Sequence, residues 1–267
     1  MINVCIAGAT GWVGRALVYA ASRSEDLILV SAVSRSAAGQ TLKSADGSDV
    51  VDVPIYASVA EALDDVDVLI DYTSHDVVMG NTLGALERGV NVVIGSSGLT
   101  AEDYAQIDAV AREAGVGVVA AGNFSLTAAL AQAAALLAAP FFPQGEVIDY
   151  ASSTKSDVPS GTARELAERL AEVRRPTKDR SLDEISGPIE ARGVSVEGVQ
   201  VHSVRLPSFS VSTEVVFGLP HERLTIRHDA DSSPDPYVDG TLLAVRRVVG
   251  RQGLTRGLDT LLRESLE

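Results

Sequence analysis

The feature that most constrains this chain is a glycine-punctuated turn set between an apolar run and a helical pattern. Ile2–Ala7 passes directly into Gly8-Ala9-Thr10-Gly11-Trp12-Val13-Gly14-Arg15, and Ala16-Leu17-Val18 continues as a helix. This G-x-x-G-x-x-G spacing is a variant of the dinucleotide-binding turn. Its glycines make the tight turn and let the backbone approach a pyrophosphate, which sits on the helix N-terminus. Glycine spacing alone also suits a bare structural turn; the strand–turn–helix setting makes it a nucleotide signal. Gly8, Thr10, Gly11, Trp12, Val13 and Gly14 are therefore candidate cofactor contacts.

The rest of the first half extends the pattern. Strand candidates are Leu27–Val33, Val50–Ile55, Val66–Asp71, Val90–Ile94 and Val116–Ala120, near-continuous Val/Ile/Leu as expected of parallel strands covered on both faces. Helices are predicted near Gly14–Ser22, Ser58–Leu63, Val77–Arg88 and Ala101–Ala114. The last starts at a capping box, Thr100 with Asp103, and stops at Gly115, as the helix before it stops at Gly89. Repeated βα units of this kind imply a doubly wound parallel sheet.

After about residue 125 the pattern changes. A helix over Leu126–Ala139 leads to a strand near Glu146–Ala151, an amphipathic helix Gly161–Arg175 and a charged, irregular stretch, Arg174–Pro188. The alternating runs Val199–Leu206, Val211–Phe217 and Arg223–His228 predict a mostly antiparallel sheet with one face packed. The tail, Tyr237–Leu266, reads as helices. The expected fold is α/β: a Rossmann-type doubly wound parallel sheet plus a second α+β domain with a mostly antiparallel sheet. A dinucleotide-binding domain would span 1–125, rejoined by 237–267, and a substrate-binding and oligomerisation domain 126–236.

Composition narrows the function. Among 267 residues, 22 Lys+Arg against 36 Asp+Glu leave a net charge of −14, which argues against a nucleic-acid partner. The longest apolar stretch, Leu126–Phe142, is interrupted by Gln132 and Pro140 and is shorter than a ~20-residue span, so no membrane partner is expected. The N-terminus has no basic, cleavable leader pattern, and a cytoplasmic protein is expected. The lone Cys5 excludes a disulfide framework and reads as a core residue. No metal-ligand spacing is present, so no metal is expected.

The end of the second strand distinguishes the dinucleotides. An NAD enzyme places an acid there for the ribose hydroxyls, whereas this chain reads Val33-Ser34-Arg35-Ser36. Arg35 can face a 2′-phosphate with Ser34 and Ser36 donating, so NADP(H) is expected over NAD(H). In the second half, Lys155-Ser156-Asp157-Val158-Pro159-Ser160-Gly161-Thr162-Ala163 opens a helix. Ser160 and Thr162 sit in its first turn, where backbone N–H groups and the helix dipole favour an anion, and Lys155 adds a cation. A capped helix with a chance lysine would look the same.

The run K-x-D-x-P-S-G-T-A resembles the signature of the dihydrodipicolinate reductase family, nicotinamide enzymes of bacterial lysine biosynthesis, and the resemblance covers almost the whole chain. Gly8–Arg15 matches the family's nucleotide turn. Asp71-Tyr72-Thr73 is similar to its D-F-T, Gly95-Ser96-Ser97-Gly98 to its G-T-T-G and Ala121-Gly122-Asn123-Phe124-Ser125 to its A-P-N-F-S. Val201–Pro207 and Leu224–His228 resemble strands of its second domain, which builds a homotetramer. The resemblance implies that Tyr72, Thr73, Gly95, Ser97, Gly98, Ala121, Asn123 and Phe124 border the cofactor. It implies that Lys155 is the catalytic or substrate-polarising lysine, and that Ser160, Gly161 and Thr162 hold a substrate carboxylate.

The departures fall on the substrate side. Ala151 and Ser152 stand where the family has two histidines, the first its proposed proton donor. Ser210-Val211-Ser212-Thr213-Glu214 lacks the histidine before the glutamate, and Asp231–Pro236 lacks an expected arginine. Lys155 is then the remaining catalytic candidate in the motif, with His75 and Tyr150 as substitutes for the lost proton donor. Tyr150 and Lys155 stand too far apart for the Tyr-x-x-x-Lys pair of short-chain dehydrogenases. The expected function is NADPH-dependent reduction of a carboxylate-bearing, cyclic, conjugated imine, with an altered substrate and a homotetrameric or homodimeric assembly. Two readings stand beside it: a genuine lysine-pathway reductase, and a non-catalytic NADPH-binding sensor.

Overall fold

The computed structural model describes residues 1–43, 50–209 and 211–264; Ser210, Ser265 and Leu266 lie outside the described residues. The chain falls into two units, Met1–Leu126 with Pro234–Glu267, and Thr127–Ser233.

The first unit runs β1 (Ile2–Ala7), α1 (Trp12–Ser22), β2 (Leu27–Val33), β3 (Thr41–Lys43), β4 (Val50–Tyr56), α2 (Val59–Ala62), β5 (Val68–Asp71), α3 (Val78–Leu86), β6 (Asn91–Ile94), α4 (Ala101–Ala114) and β7 (Gly117–Ala120). The second contains α5 (Leu126–Ala138), β8 (Gln144–Ala151), α6 (Gly161–Val173), β9 (Val194–Val196), β10 (Val199–Arg205), β11 (Val211–Leu219) and β12 (Glu222–Ala230). The chain then rejoins the first unit as α7 (Pro236–Val248), β13 (Gly253–Arg256) and α8 (Leu258–Glu264).

The first sheet has the order β13-β7-β6-β5-β1-β2-β4-β3, parallel throughout except for the antiparallel edge strand β3. From β1 the chain winds outward one way through β2 and β4, then crosses to β5 and winds the other way. The switch lies between β1 and β5, where open α/β sheets bind ligands at the carboxyl edge. The apolar runs are buried because helices cover both faces. Cys5, Leu69, Val92 and Val118 pack with Val78, Ala85 and Ile107 from the covering helices. Burial also pushes the Cys5 thiol up to about 12, so it is an inert core residue. Local signals act as written: Thr100 and Asp103 form the reciprocal capping box of α4, and Gly115 closes that helix at φ +71°.

The tail departs from expectation. Within the stretch read as helices, Gly253–Arg256 is a strand, β13, parallel to β7 with Leu254 opposite Val118. Four residues carry too little periodicity to reveal a strand; the open edge of β7 creates it. Gly253 sits at φ +80°, with a Cβ position 2.6 Å from Asp108 Oδ1, so only glycine enters this edge without strain.

The second sheet has the order β12-β11-β8-β10-β9, and three of its four pairings are antiparallel. The exception is β8 with β10, which places Asp149 beside Ser203 and Ala151 beside Arg205. The core lies on one face, where Val147, Val199, Val201, Val215 and Phe217 meet Leu136 of α5 and Ala163, Leu166 and Leu170 of α6. Period-two alternation sends Val147, Asp149 and Ala151 to that covered face and Ile148 and Tyr150 to the other. No helix among the described residues is long and apolar enough to cross a membrane.

Candidate active site

Five loops leave the carboxyl edge of the first sheet, after β1, β2, β5, β6 and β7, and together with the first turn of α1 they carry every residue singled out for the nucleotide. The turn after β1 is closed tightly. Gly8 stands at φ +82°, and a Cβ there would overlap the carbonyl oxygen of Tyr72, while one at buried Gly14 would overlap the carbonyl oxygen of Gly8. Gly11 caps α1 with no side-chain hydrogen bond, so the helix presents backbone donors rather than a capping group. These observations fit a nicotinamide dinucleotide: the turn brings bare backbone and a helix start to a pyrophosphate. Trp12 stands 53% exposed beside the turn, edge-on to Tyr237 at 5.7 Å, and Val13 lies partly buried behind it.

After β2, Ser34 is buried with its Oγ 2.7 Å from Thr10 Oγ1 and 3.3 Å from Ser36 Oγ. Three hydroxyls thus join the β1 and β2 loops, with Arg35 exposed among them. After β5, Asp71 is fully buried and organises two neighbouring loops. Its Oδ1 accepts from Thr73 N (3.0 Å), Thr73 Oγ1 (2.6 Å) and Ser96 Oγ (2.7 Å), and its Oδ2 accepts from Asn81 Nδ2 (2.8 Å). Asp71 and Ser96 stand inside motifs noted from the sequence without an assigned role, and Asn81 was not singled out.

Several expected cofactor contacts take other roles through their side chains. The Tyr72 ring lies under Gly95, its hydroxyl is 2.7 Å from Thr241 Oγ1, and burial holds its phenol above the ordinary range. Phe124 is 1% exposed, its ring 6.1 Å from that of Tyr72, so only its backbone can border a ligand. Asn123 Oδ1 accepts from Ser125 N at 2.8 Å and shapes the loop after β7, beside buried Ala121. Ser97 and Gly98 are exposed, Gly98 at φ +108° against the Cβ of His75. His75 itself is 71% exposed on its side chain, with Nε2 2.9 Å from Asp76 Oδ1, an arrangement of a hydrated loop pair.

In the second unit, Lys155 stands in the loop between β8 and α6, its Nζ 2.8 Å from Asp157 Oδ1. Ser160 caps α6, and its hydroxyl is already spent. It accepts from Ala163 N at 3.3 Å and donates to Asp149 Oδ1 at 2.7 Å, while Ser160 N donates to Asp149 Oδ2 at 2.8 Å. Ser160 is 2% exposed, so its side chain shapes the helix start rather than meeting a carboxylate, and Gly161 and Thr162 line that start partly exposed. Asp149 also accepts from Ser203 Oγ (3.0 Å) and Arg205 Nη2 (2.8 Å), neither assigned a role from sequence.

Tyr150, the candidate substitute for the proton donor, is engaged on the second sheet. It lies on the sheet face opposite Asp149, its hydroxyl 3.3 Å from Glu214 Oε2, its ring 4.8 Å beneath the Arg227 guanidinium and 4.9 Å from Phe209. Burial, then the Glu214 charge, raises its phenol further from the neutral range. Strand alternation, not spelled out by the motif, sets which face the ring takes. His228 is buried with Nε2 3.0 Å from Thr127 Oγ1, and burial lowers it below the usual imidazole range. His202 pairs with Glu146 at 2.7 Å, and His221 turns the β11–β12 hairpin at φ +71°. Among the described residues no group of His, Cys, Asp and Glu could hold a metal.

Comparison with known proteins agrees along the full length. The family model described as "Dihydrodipicolinate reductase, N-terminus" matches residues 2–124, and the one described as "Dihydrodipicolinate reductase, C-terminus" matches residues 122–262. The 4-hydroxy-tetrahydrodipicolinate reductase of a Bacillus cereus strain is 35% identical over 263 residues, 98% of each chain. That of Geobacillus thermodenitrificans is 37% identical over 98% of this chain and 99% of its own. Among solved structures, the dipicolinate-bound dihydrodipicolinate reductase from Paenisporosarcina sp. TG-14 superposes with a TM-score of 0.74 at 30% identity, covering 97% of this chain and 99% of that one.

Proposed function

Because the chain belongs to the dihydrodipicolinate reductase family, and is thus a nicotinamide-dependent oxidoreductase acting on a C=N bond, we propose that it reduces a carboxylate-bearing, cyclic, conjugated imine with NADPH. The observation that carries this reading is the pairing of an ammonium with a helix start: Lys155 in the loop, and Ser160-Gly161-Thr162 opening α6 on the buried Asp149.

Gly8, Thr10, Gly11 and Gly14 would hold the pyrophosphate, and Arg35 with Ser34 and Ser36 the 2′-phosphate; Arg35 in place of an acid supports NADPH over NADH. When bound, the reduced nicotinamide supplies a hydride. The chain's own residues do the rest. The first turn of α6 at Gly161 and Thr162 binds a substrate carboxylate through backbone N–H groups and the helix dipole. Lys155 Nζ neutralises the negative charge that develops as hydride adds to the imine or its conjugated carbon, and carries the proton that completes the reduction. Asp157 keeps that ammonium in place at 2.8 Å.

The relatives' names favour the lysine-pathway imine, 4-hydroxy-tetrahydrodipicolinate, as substrate. A second reading, a different imino acid, is favoured by Ala151 and Ser152 where the family pattern carries two histidines, and by the run ending at Glu214, which has none before the glutamate. Purified protein given NADPH and either that imine, generated in situ, or a panel of cyclic imino acids separates the two. Lys155→Ala is expected to lower kcat/KM on the accepted imine by ~10²–10⁴-fold, with the NADPH affinity unchanged. A Lys155→Ala enzyme as fast as the parent would remove the lysine from the reaction and favour a sensor that only binds NADPH. Assembly into a homotetramer or homodimer belongs to the same proposal, and light scattering checks it.

A further inference from the structure

We propose that Arg205 is a positioning residue for the reduction: one guanidinium group ties the loop that carries Lys155 to the carboxylate on which the start of α6 is built. The inference rests on the reading of Lys155 and α6 as the imine site.

Arg205 is the last residue of β10, paired beside Ala151 at the end of β8. Its side chain is 15% exposed, so it is removed from most of the water that would otherwise compete for its donors. Nη2 donates to Asp149 Oδ2 and to the backbone carbonyl of Asp157, both at 2.8 Å, and Nη1 donates to the carbonyls of Asp149 (3.3 Å) and Val204 (3.1 Å). Asp157 holds the Lys155 ammonium through Oδ1, and Asp149 holds Ser160 through N and Oγ. The loop is therefore pinned at Asp157 and at Ser160 by groups that meet on Arg205. The first pin sets the cation, the second the helix start.

The chemistry explains why an arginine stands here. A guanidinium presents several donors in a rigid plane, so one group can reach a carboxylate and a carbonyl on different segments at once. An ammonium concentrates its donors on one flexible point and cannot hold both at these distances. Misplacing a charge by about 1 Å relative to a reacting centre can lower a rate by ~10²-fold, so fixing the spacing between Lys155 and α6 bears directly on turnover. The same role reaches Ser203, earlier on β10, whose hydroxyl donates to Asp149.

The test uses the full chain, with dipicolinate as a binding probe and 4-hydroxy-tetrahydrodipicolinate as substrate. Arg205→Lys is expected to weaken dipicolinate binding and raise the imine KM by ~tenfold or more, with the NADPH KM within ~twofold of the parent. Lys155→Met should also lower kcat far less in the Arg205→Lys background than in the parent, because the two act as one unit. Ser203→Ala, which keeps the arginine, is expected to move the imine KM the same way by ~two- to fivefold. A folded Arg205→Lys protein with unaltered dipicolinate binding, or Arg205 and Lys155 effects that simply multiply, would overturn the inference. If Arg205→Lys does not fold, an unshifted Ser203→Ala overturns it alone. A parent protein that neither binds dipicolinate nor turns over this imine or any of the panel of cyclic imino acids overturns the imine-site reading and this inference with it; a competent parent, tested on the imine it accepts, with indifferent variants overturns only the latter.

Discussion

Asp71 in the first unit and Asp149 in the second occupy similar posts: each lies at or near the carboxyl end of a strand, 0% and 1% exposed, and each gathers four side-chain or backbone donors from neighbouring segments. The donors differ. Those on Asp71 are neutral, from Thr73, Ser96 and Asn81, whereas those on Asp149 include the Arg205 guanidinium. The ring of neutral donors on Asp71 joins the loops after β5 and β6. The charged pair links the loop that carries Lys155 to the start of α6, the segments proposed above to set a cation against a bound carboxylate. The comparison teaches that one device, a buried carboxylate as organiser, is tuned by whether a positive charge joins it.

Asp149→Asn presses hardest on the contrast. Removing one partner of a buried ion pair leaves the guanidinium without its counter-charge, and a loss of about 3 kcal/mol or more in unfolding free energy is expected by urea titration. A loss below about 1 kcal/mol would erase the distinction. Gly14→Ala probes the coenzyme side where no carboxylate is involved. The added methyl must displace the Gly8 carbonyl, and the dissociation constant of the nicotinamide coenzyme, read by fluorescence titration, should rise ~10²-fold. Asp71→Asn turns one acceptor into an amide donor facing other donors, and a loss of about 1–3 kcal/mol is expected in the same urea experiment. A larger loss than that of Asp149→Asn would reverse the ranking.

The smallest effect concerns His228, opposite Thr213 on the covered face of the second sheet. Burial lowers its folded pKa beneath the unfolded value near 6.5, with the Asp229 charge opposing in part. The unfolded chain therefore binds the proton first, so stability is full above that unfolded value and declines as pH falls from about 7 towards 5. His228→Gln should flatten this slope in thermal melts taken across that window, while carboxylates such as Asp229, whose Arg227 bond holds them below the usual range, act only at lower pH.

Much of the first unit was legible because its signals are local. The glycine turn, the Val/Ile/Leu runs and the Thr100–Asp103 capping box each depend on residues within a few positions of one another. The loops bearing Ser34, Thr73, Gly95 and Ala121 meet at one edge because parallel strands place all their carboxyl ends together, a rule that can be applied without coordinates. The second unit resisted. K-x-D-x-P-S-G-T-A marked Lys155 and the α6 start, yet the motif did not say that the Ser160 hydroxyl is consumed by Asp149 and Ala163. Nor did it say that Tyr150, one residue from Asp149, faces the other side of the sheet.

What the sequence determined by itself is the layout: a parallel sheet opening on a nucleotide turn, a second sheet that follows it, and a lysine just ahead of a helix start. Those follow from short-range sterics and periodicity, which a chain carries wherever it is placed. Tertiary structure alone decided that Gly253–Arg256 becomes a strand and that Arg205 meets Asp149 and Asp157 across 56 and 48 positions of chain. Such partners are chosen by which backbone edge is open and which buried group lacks a donor, and both come into being only once distant segments have packed.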